Sequence, residues 1–257
     1  MFIKSQDADL FVTSFGSGSR TIVAHGGWVG SGELWQQPFE ALSRHWRTVT
    51  YDHRGTGATV NRAQAITFEL LVTDLFRVLD TLDIRSCVLA GESSGACIVL
   101  EAALRQPRRF SGLVLVDGRY QGGKSAGATR FIEGCKANFE ATMDMFVNAC
   151  ASEVDCAAER HWGKQIVMRS SGPAAIQLKE CLEPVQLEDR ISQIQIPTLL
   201  IHGRRDVITP LASSEALAQQ IPTNKLVIIE DAGHVPTLTR PAQVVSAIEE
   251  YFAINHA

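Results

Sequence analysis

Short apolar runs alternate with longer amphipathic stretches along most of the chain, and this alternation predicts its secondary structure. The apolar runs predicted to form strands are Leu10–Phe15, Thr21–Ala24, Thr48–Tyr51, Cys87–Ala90, Leu113–Val116, Thr198–Ile201 and Lys225–Ile229. The stretches predicted to form helices are Glu33–Arg44, Phe68–Leu82, Ala96–Arg105, Ser213–Gln220 and Pro241–Phe252. Strands that alternate with helices are typical of an α/β architecture with a largely parallel sheet.

The alternation stops in the middle of the chain. Residues 118–190 contain no strong strand pattern and include the glycine-rich stretch Gln121–Gly127. Two parts of this segment, Phe131–Ala151 and Ala157–Met168, have helical patterns. We therefore expect a helical insertion over residues 118–190, between the two halves of a core domain at residues 1–117 and 191–257.

Composition and charge narrow the classes of partner. The chain has 257 residues, of which 45% are hydrophobic and 20% charged. Its net charge of -4 does not favour binding to nucleic acid or to an anionic membrane. No apolar run approaches the roughly 20 residues that span a bilayer, and the first residues reach charged positions too soon for a signal peptide. We expect a cytoplasmic monomer or homodimer that acts on a small molecule.

Cysteine and glycine spacings argue against metals and nucleotide cofactors. The six cysteines form no Cys-x-x-Cys pair and no spacing with histidine that is typical of zinc. Four of them lie in the middle segment and would form disulfides in an exported protein, but free thiols are expected in the cytoplasm. No Gly-x-Gly-x-x-Gly follows the first strand and there is no P-loop, so the sequence predicts no cofactor and no metal.

The strongest chemical signal is the segment Gly91–Gly95, a Gly-x-Ser-x-Gly motif between a predicted strand and a predicted helix. The two glycines allow a sharp turn that holds the middle serine in a strained conformation at the carboxyl edge of the sheet. Their spacing selects Ser93 as nucleophile over its neighbour Ser94. The backbone N–H of Ser94 is then a candidate donor to a substrate oxyanion.

A serine hydroxyl needs a base, and histidine suits that role because its ordinary pKa is near 6.5. His234 is the first candidate because it lies in a turn just after the last predicted strand, at the edge expected for Ser93. His202 ends a predicted strand and is expected to pack locally. His53 lies in another loop at the same edge and is the second candidate.

A carboxylate must orient the base, and two aspartates follow predicted strands. Asp206 follows Thr198–Ile201 and can accept the imidazole N–H, which fixes the tautomer and stabilises the imidazolium. Asp117 directly follows Leu113–Val116 and is the alternative, because this strand also ends at the active edge. Asp206 is the favoured acid.

The turn after the second predicted strand, His25–Trp28, is the candidate oxyanion loop. Its glycines let backbone N–H groups approach a substrate closely, and preorganised donors of this kind contribute roughly 3 kcal/mol each. The donor is the N–H of Gly27 or Trp28, together with that of Ser94. The sequence leaves the register open by one residue.

Taken in order, these motifs resemble the α/β-hydrolase superfamily, in its branch of small cap-bearing esterases, lactonases, haloperoxidases and C–C hydrolases. The motifs that carry the likeness are His25–Gly27 with Trp35 beyond it, Asp52–Gly57, Gly91–Gly95, Gly203–Asp206 and Ala232–His234. The resemblance implies an eight-stranded-type, mostly parallel sheet with helices on both faces, and the catalytic order Ser93, Asp206, His234. A serine nucleophile separates the chain from the haloalkane dehalogenases and epoxide hydrolases of the superfamily, which carry aspartate there.

The resemblance also implies that the insertion is a helical cap over the site. The residues expected to bind substrate are Trp28, Phe131, Phe139, Met143, Phe146 and Trp162. The first hypothesis is a serine hydrolase that cleaves a small, mostly apolar carboxylic ester or lactone through an acyl-enzyme. The alternative is a C–C bond hydrolase acting on a ketone-bearing ring-cleavage product, with Arg119, Lys124, Arg130 or Lys136 as a positive residue near the site. A slow-turnover ligand receptor of the same fold is the third hypothesis.

Overall fold

The computed structural model describes residues 1–122 and 126–254, and one mixed sheet forms the centre of the protein. Its strands are β1 (Phe2–Ser5), β2 (Ala8–Phe15), β3 (Arg20–His25), β4 (Trp46–Tyr51), β5 (Val60–Asn61), β6 (Cys87–Glu92), β7 (Phe110–Val116), β8 (Thr198–Gly203) and β9 (Asn224–Ile229). The strand order is β1-β2-β4-β3-β6-β7-β8-β9, and the short β5 pairs with β2. The six strands β4, β3, β6, β7, β8 and β9 are parallel to one another. At one end of the sheet, β1, β2 and β5 form antiparallel pairs. The predicted α/β fold with a mostly parallel sheet is therefore confirmed.

Helices connect the parallel strands, as parallel pairing requires. The α-helices are α1 (Gln36–Leu42), α2 (Phe68–Thr81), α3 (Gly95–Arg105), α4 (Ala126–Ala137), α5 (Phe139–Cys150), α6 (Ala157–Val167), α7 (Gly172–Glu180), α8 (Leu211–Gln220), α9 (Pro236–Thr239) and α10 (Pro241–Ile254), of which α9 and α10 follow the last strand. Helices α4 to α7 all lie between β7 and β8 in the chain, in the segment 118–190.

The central strands are buried on both faces, which explains why they read as continuous apolar runs. In β6, Val88 and Ala90 pack into one hydrophobic cluster with Phe252 of α10. Leu89, on the opposite face of the same strand, packs into a second cluster with Leu75 of α2. This alternation follows from the two-residue period of a strand.

Two predicted helices differ from the structure. Phe131–Ala151 was predicted to be one helix, but Asn138 separates α4 from α5. Its side chain accepts a hydrogen bond from Ala141 N at 3.0 Å and caps a new helix, because asparagine favours the extended backbone of an N-cap. Glu33–Arg44 begins with a 3₁₀ turn, Gly32–Trp35, and becomes α-helical only in α1. Strands β1 and β5 and helices α7 and α9 have no predicted counterpart.

Two further findings concern the whole of the described chain. Within residues 1–122 and 126–254, no helix is long and apolar enough to cross a membrane. All six cysteines lie in these ranges and are free thiols.

Candidate active site

The carboxyl ends of the parallel strands bring distant loops to one edge of the sheet. Ser93 follows β6, Asp117 follows β7, Asp206 lies in the loop after β8, and His234 lies in the loop after β9. The loop after β3, which contains Gly27, reaches the same edge. Ligands bind at this edge in open α/β sheets because the strand-to-helix loops converge there.

The backbone at Ser93 is strained. Its φ is 53°, in the left-handed region that a residue with a side chain seldom adopts, and its N–H donates to Val116 O at 2.8 Å. Glycines make this turn sterically possible: a Cβ at Gly91 would lie 2.6 Å from Val99 Cγ2, and one at Gly95 would collide with Gly26 O. The turn presents Ser93 Oγ ahead of the first turn of α3, whose N-terminal partial charge is positive.

The structure brings together the three side chains that the sequence singled out. His234 Nε2 lies 2.8 Å from Ser93 Oγ, and His234 Nδ1 lies 2.7 Å from Asp206 Oδ2. The His234 residue is 1% exposed and Ser93 8% exposed, so the chain of hydrogen bonds is shielded from bulk water. A hydrogen bond between charged or polarised groups is stronger in such a setting.

Asp206 is held in its ionised form. Burial alone would raise its pKa, but hydrogen bonds from His234 and from the backbone N–H groups of Thr209 and Ile208 outweigh burial and lower the pKa below its ordinary value. Both N–H groups donate to Oδ1, at 2.9 Å and 2.7 Å, which leaves Oδ2 for His234. Asp206 therefore carries a negative charge that faces the imidazole.

The alternative acid, Asp117, has a different partner. Its Oδ1 accepts from Gly203 N at 2.9 Å and lies 3.4 Å from His202 Nε2, so it braces the end of β8. Burial, reinforced by the charge of Asp206, raises the pKa of Asp117 well above its usual range. Asp117, Asp206 and His234 also place potential metal-ligating atoms within 4.8 Å of one another, but Asp206 and His234 already share a hydrogen bond there.

The rival histidines support loops. His202 Nδ1 lies 2.8 Å from Ser214 Oγ, and its Nε2 lies 3.1 Å from Thr209 O. His53 Nε2 donates to Gly27 O at 2.9 Å, and its ring stacks on His25 with the ring centres 4.7 Å apart. Burial and the neighbouring His53 lower the pKa of His25 to about 3, so His25 stays neutral as it braces this loop.

The candidate oxyanion loop has free N–H groups. Among the described residues, the N–H groups of Gly27, Trp28 and Ser94 donate to no protein acceptor. Since a trans peptide directs its N–H opposite to its C=O, and Gly27 O points to His53, the N–H of Trp28 points away from His53. An added Cβ at Gly27 would lie 3.5 Å from Ser93 Cβ, so this loop runs beside the serine.

A small apolar cavity, here called the catalytic cavity, adjoins Ser93. Its volume is about 40 Å³. The residues that line it are Gly27, Trp28, Val29, Gly30, Leu34, Glu92, Ser93, Phe146, Val147, Cys150, Ala151, Gly163, Val167, His234, Val235 and Leu238. Helices α5 and α6 of the segment 118–190 thus supply one wall.

The six residues expected to bind substrate occupy different places. Trp28 and Phe146 line the catalytic cavity, and their ring centres are 5.1 Å apart. Phe131 contacts both rings from an outer groove. The other three pack elsewhere in the described chain: Met143 is fully buried in the core, Phe139 packs against the same cluster, and Trp162 Nε1 donates to Glu33 Oε1 at 3.0 Å. The apolar pattern of the sequence predicts the helices but not which of their side chains face the cavity, since it does not fix the rotation of a helix about its axis.

Sequence reasoning missed Glu92, which lines the catalytic cavity beside the serine. Thr237 Oγ1 donates to Glu92 Oε2 at 2.9 Å, whereas Oε1 is buried without a protein partner. Burial raises the pKa of Glu92 to about 8, although the bond from Thr237 opposes the shift. The sequence shows that Glu92 directly precedes Ser93 in the motif, but it gives no sign that this carboxyl group is buried.

Sequence reasoning also missed the supports of the His234 loop. Glu153, which follows α5, is 1% exposed, and its Oε1 accepts from Gly233 N at 2.8 Å and from Thr239 Oγ1 at 2.7 Å. His234 N donates to Cys150 O at 2.8 Å. The segment 118–190 therefore holds the histidine loop in place as well as lining the catalytic cavity.

The fold and this arrangement of side chains define a hydrolase of the α/β type. The chain belongs to the alpha/beta hydrolase family, whose sequence profile matches residues 22–247. It is 29% identical to a pimeloyl-[acyl-carrier protein] methyl ester esterase of Nitrosomonas europaea, over 94% of this chain and 99% of that protein. It is an enzyme of the esterase-type hydrolases.

Two solved structures share the fold. An esterase from Exiguobacterium antarcticum matches with a TM-score of 0.91 and 22% identity, over 97% of this chain and 98% of that chain. The enol-lactonase from Burkholderia xenovorans LB400 also matches with a TM-score of 0.91, at 19% identity, over 98% of this chain and 100% of that chain. Both comparisons support the architecture described above.

Proposed function

We propose that the chain is a serine hydrolase that cleaves a small, mostly apolar carboxylic ester or lactone through an acyl-enzyme. The proposal rests on one observation, the continuous hydrogen-bonded relay from Ser93 through His234 to Asp206 at the wall of an apolar cavity. Similar proteins include an esterase and an enol-lactonase, and their names support cleavage of an ester or lactone bond.

In the first half of the reaction, Ser93 Oγ attacks the carbonyl carbon while its proton passes to His234 Nε2. Asp206 accepts the Nδ1–H, so the neutral imidazole has its lone pair at Nε2, and the carboxylate stabilises the imidazolium that forms. The imidazolium then donates the proton to the leaving alkoxide as the C–O bond breaks. Water attacks the acyl-enzyme in the second half, with His234 again as base.

The tetrahedral intermediates carry a negative oxygen that needs donors. We assign this role to the N–H groups of Trp28 and Ser94, which have no protein acceptor in the described chain. Gly27 remains the alternative to Trp28, but the His53 contact turns the Gly27–Trp28 peptide so that the Trp28 N–H points away from His53. Each such donor is worth roughly 3 kcal/mol of barrier lowering.

The catalytic cavity favours a short acyl or alcohol group. A cavity needs a volume of roughly 10–15 Å³ to hold one water molecule. The catalytic cavity, at about 40 Å³, therefore holds only a few heavy atoms of a substrate. The segment 118–190 acts as the cap in this proposal, because α5 and α6 close the cavity. We expect activity to decline as the group placed there lengthens.

A C–C bond hydrolase is the second candidate, and the observation that favours it is the position of Arg119. Arg119 borders a cavity with Ser94, whereas Arg130 and Lys136 are exposed. Lys124 lies outside the described residues. A diketone substrate hydrolysed faster than any ester would select this candidate, and labelling of the serine without sustained turnover would select the slow receptor.

The deciding experiment compares wild-type protein with Ser93→Ala on a series of short-chain esters and lactones. We expect hydrolysis by the wild type, its loss by at least about 10³-fold in Ser93→Ala, and labelling of Ser93 by a fluorophosphonate. Ser94→Ala is the matched variant, since it removes the neighbouring hydroxyl, keeps the backbone N–H and is still labelled. Retained hydrolysis by Ser93→Ala would reject the mechanism.

A further inference from the structure

Two cationic side chains, Arg119 and Lys179, border a second cavity that is also lined by Trp28. This basic cavity has a volume of about 30 Å³ and is also lined by Ser94. Both cations, with Gln121, Gly122 and Ala128, border a wider groove of about 330 Å³ at the surface. The basic cavity thus lies beside Ser94, the neighbour of the nucleophile, and shares lining residues with the open groove.

Neither cation has an ionic partner within residues 1–122 and 126–254. Elsewhere the arginines of the protein are commonly paired, as Arg54 is with Asp74 and Arg190 with Glu101. Glu183 borders the basic cavity but forms no ion pair with either cation. Two uncompensated like charges in a partly buried space are unfavourable until an anion joins them.

Lys179 is fixed in position by aromatic rings instead of by an acid. Its Nζ lies 4.6 Å from the ring centre of Trp28 and 5.3 Å from that of Phe131. Burial, with the charge of Arg119 next in effect, lowers the pKa of Lys179 to about 8, so the amine is still mostly protonated at neutral pH. Stacking on rings orients the ammonium group without neutralising it.

Arg119 is tied to the nucleophile through the backbone. Its N–H donates to Ser93 O at 2.9 Å, and its own carbonyl accepts from Cys97 Sγ. The backbone of Arg119 therefore adjoins that of the reacting serine, and its side chain lines the same cavity as Ser94. A guanidinium binds a carboxylate through two parallel hydrogen bonds, and an ammonium adds a third donor.

We propose that Arg119 and Lys179 form a carboxylate-binding subsite, so that the preferred substrate is an ester or lactone that carries a free carboxylate at its far end. The inference rests on the proposed function and adds the substrate class. The apolar arm of the substrate occupies the catalytic cavity, and the carboxylate arm passes Ser94 toward the two cations. Trp28 lines both cavities, and the adjacent residues Ser93 and Ser94 line one cavity each.

The test uses a matched pair of substrates, monomethyl glutarate and dimethyl glutarate, which differ in one carboxylate. For wild-type protein we expect kcat/KM for the half-ester to exceed that for the diester by about 10- to 100-fold, the usual worth of hydrogen bonds to a charged group. Free glutarate should inhibit competitively, and inorganic phosphate at the same concentration more weakly. Stronger inhibition by phosphate than by glutarate would overturn the assignment to a carboxylate.

Variants separate charge from packing. Lys179→Met keeps the contact with Trp28 and should reduce the half-ester preference by at least about 10-fold, as should Arg119→Gln, whereas Lys179→Arg should restore most of it. Lys136→Met removes an exposed cation of α4 and should leave the preference unchanged. A preference that survives both Lys179→Met and Arg119→Gln rejects the subsite. If the wild type hydrolyses neither ester while Ser93 is still labelled by the fluorophosphonate, only the carboxylate subsite is rejected. If Ser93 is not labelled, the proposed function itself is rejected.

Discussion

Replacing Asp206 by asparagine is expected to reverse the hydrogen bond at His234 Nδ1. Asp206 Oδ1 accepts from the backbone N–H groups of Ile208 and Thr209, so the asparagine carbonyl oxygen must occupy that position. The amide NH₂ then faces His234 Nδ1, where Oδ2 now lies at 2.7 Å, and it can only donate. The neutral imidazole must therefore carry its proton on Nε2, which faces Ser93.

An imidazole protonated at Nε2 has no lone pair to take the proton of Ser93 Oγ. We expect kcat to fall by about 10³- to 10⁴-fold, which corresponds to roughly 4–5.5 kcal/mol of barrier. The fold should persist because asparagine has the same shape and both backbone donors keep their acceptor. Loss of the Asp206 charge also removes one of the causes that raise the pKa of Asp117.

The assay is steady-state hydrolysis of a short-chain ester at neutral pH, with thermal unfolding followed for each variant. Asp117→Asn is the matched control: it keeps the acceptor for Gly203 N and should lower kcat by less than about 10-fold. The reasoning is refuted if Asp206→Asn keeps more than a tenth of the activity. A loss of 100-fold or more in Asp117→Asn alone would assign the acid to Asp117.

Two further outcomes are expected from buried carboxyl groups. Glu153→Ala should lower kcat by about 10-fold or more and the free energy of unfolding by roughly 2–4 kcal/mol, because Gly233 N loses its acceptor and Thr239 Oγ1 loses the shorter of its two hydrogen bonds. Glu153→Gln should recover most of the kcat. Equal kcat for the Ala and Gln variants would contradict a positioning role for Glu153. Glu92, whose pKa is raised by burial to about 8 from an ordinary 4.5, holds a proton that the unfolded chain releases, so wild-type stability should fall by up to roughly 1.4 kcal/mol per pH unit as pH rises between these values. Glu92→Gln lacks this loss, and unfolding curves that stay parallel for wild type and variant between pH 5 and pH 8 would disprove the protonated state.

The elements that position the relay were accessible to sequence reasoning because they are local. Gly91–Gly95 encodes its own turn, since only glycine fits beside Val99 and Gly26 O. Asp206 follows β8, which is buried throughout, and His234 follows β9, which is only partly buried, but both strands are recognised in the sequence as apolar runs. Parallel topology then brings their loops to one edge without any further information.

The lining of the cavities was not accessible in the same way. The apolar pattern of Phe131–Ala151 fits one helix or two, and Asn138 decides between them through its cap. Within α5, Met143 is in the core whereas Phe146 faces the serine, and their hydrophobicity does not distinguish them. Lys179 and Glu153 read as ordinary surface charges because their burial depends on contacts with residues far away in the chain.

The attachment of the segment 118–190 to the core bears on how a substrate reaches Ser93. Trp28 Nε1 donates to Ala175 O at 2.7 Å, and Glu153 holds the histidine loop, so lifting the segment at either place breaks buried hydrogen bonds and disturbs the relay or the oxyanion loop. The groove bordered by Arg119 and Lys179 is also lined by the loop after β8, and the residues that form these two attachments do not line it, so entry there would leave both intact. A carboxylate would meet the two cations first, and their field would draw it toward the serine. The proposed subsite therefore predicts both a negatively charged substrate and its entry through this groove.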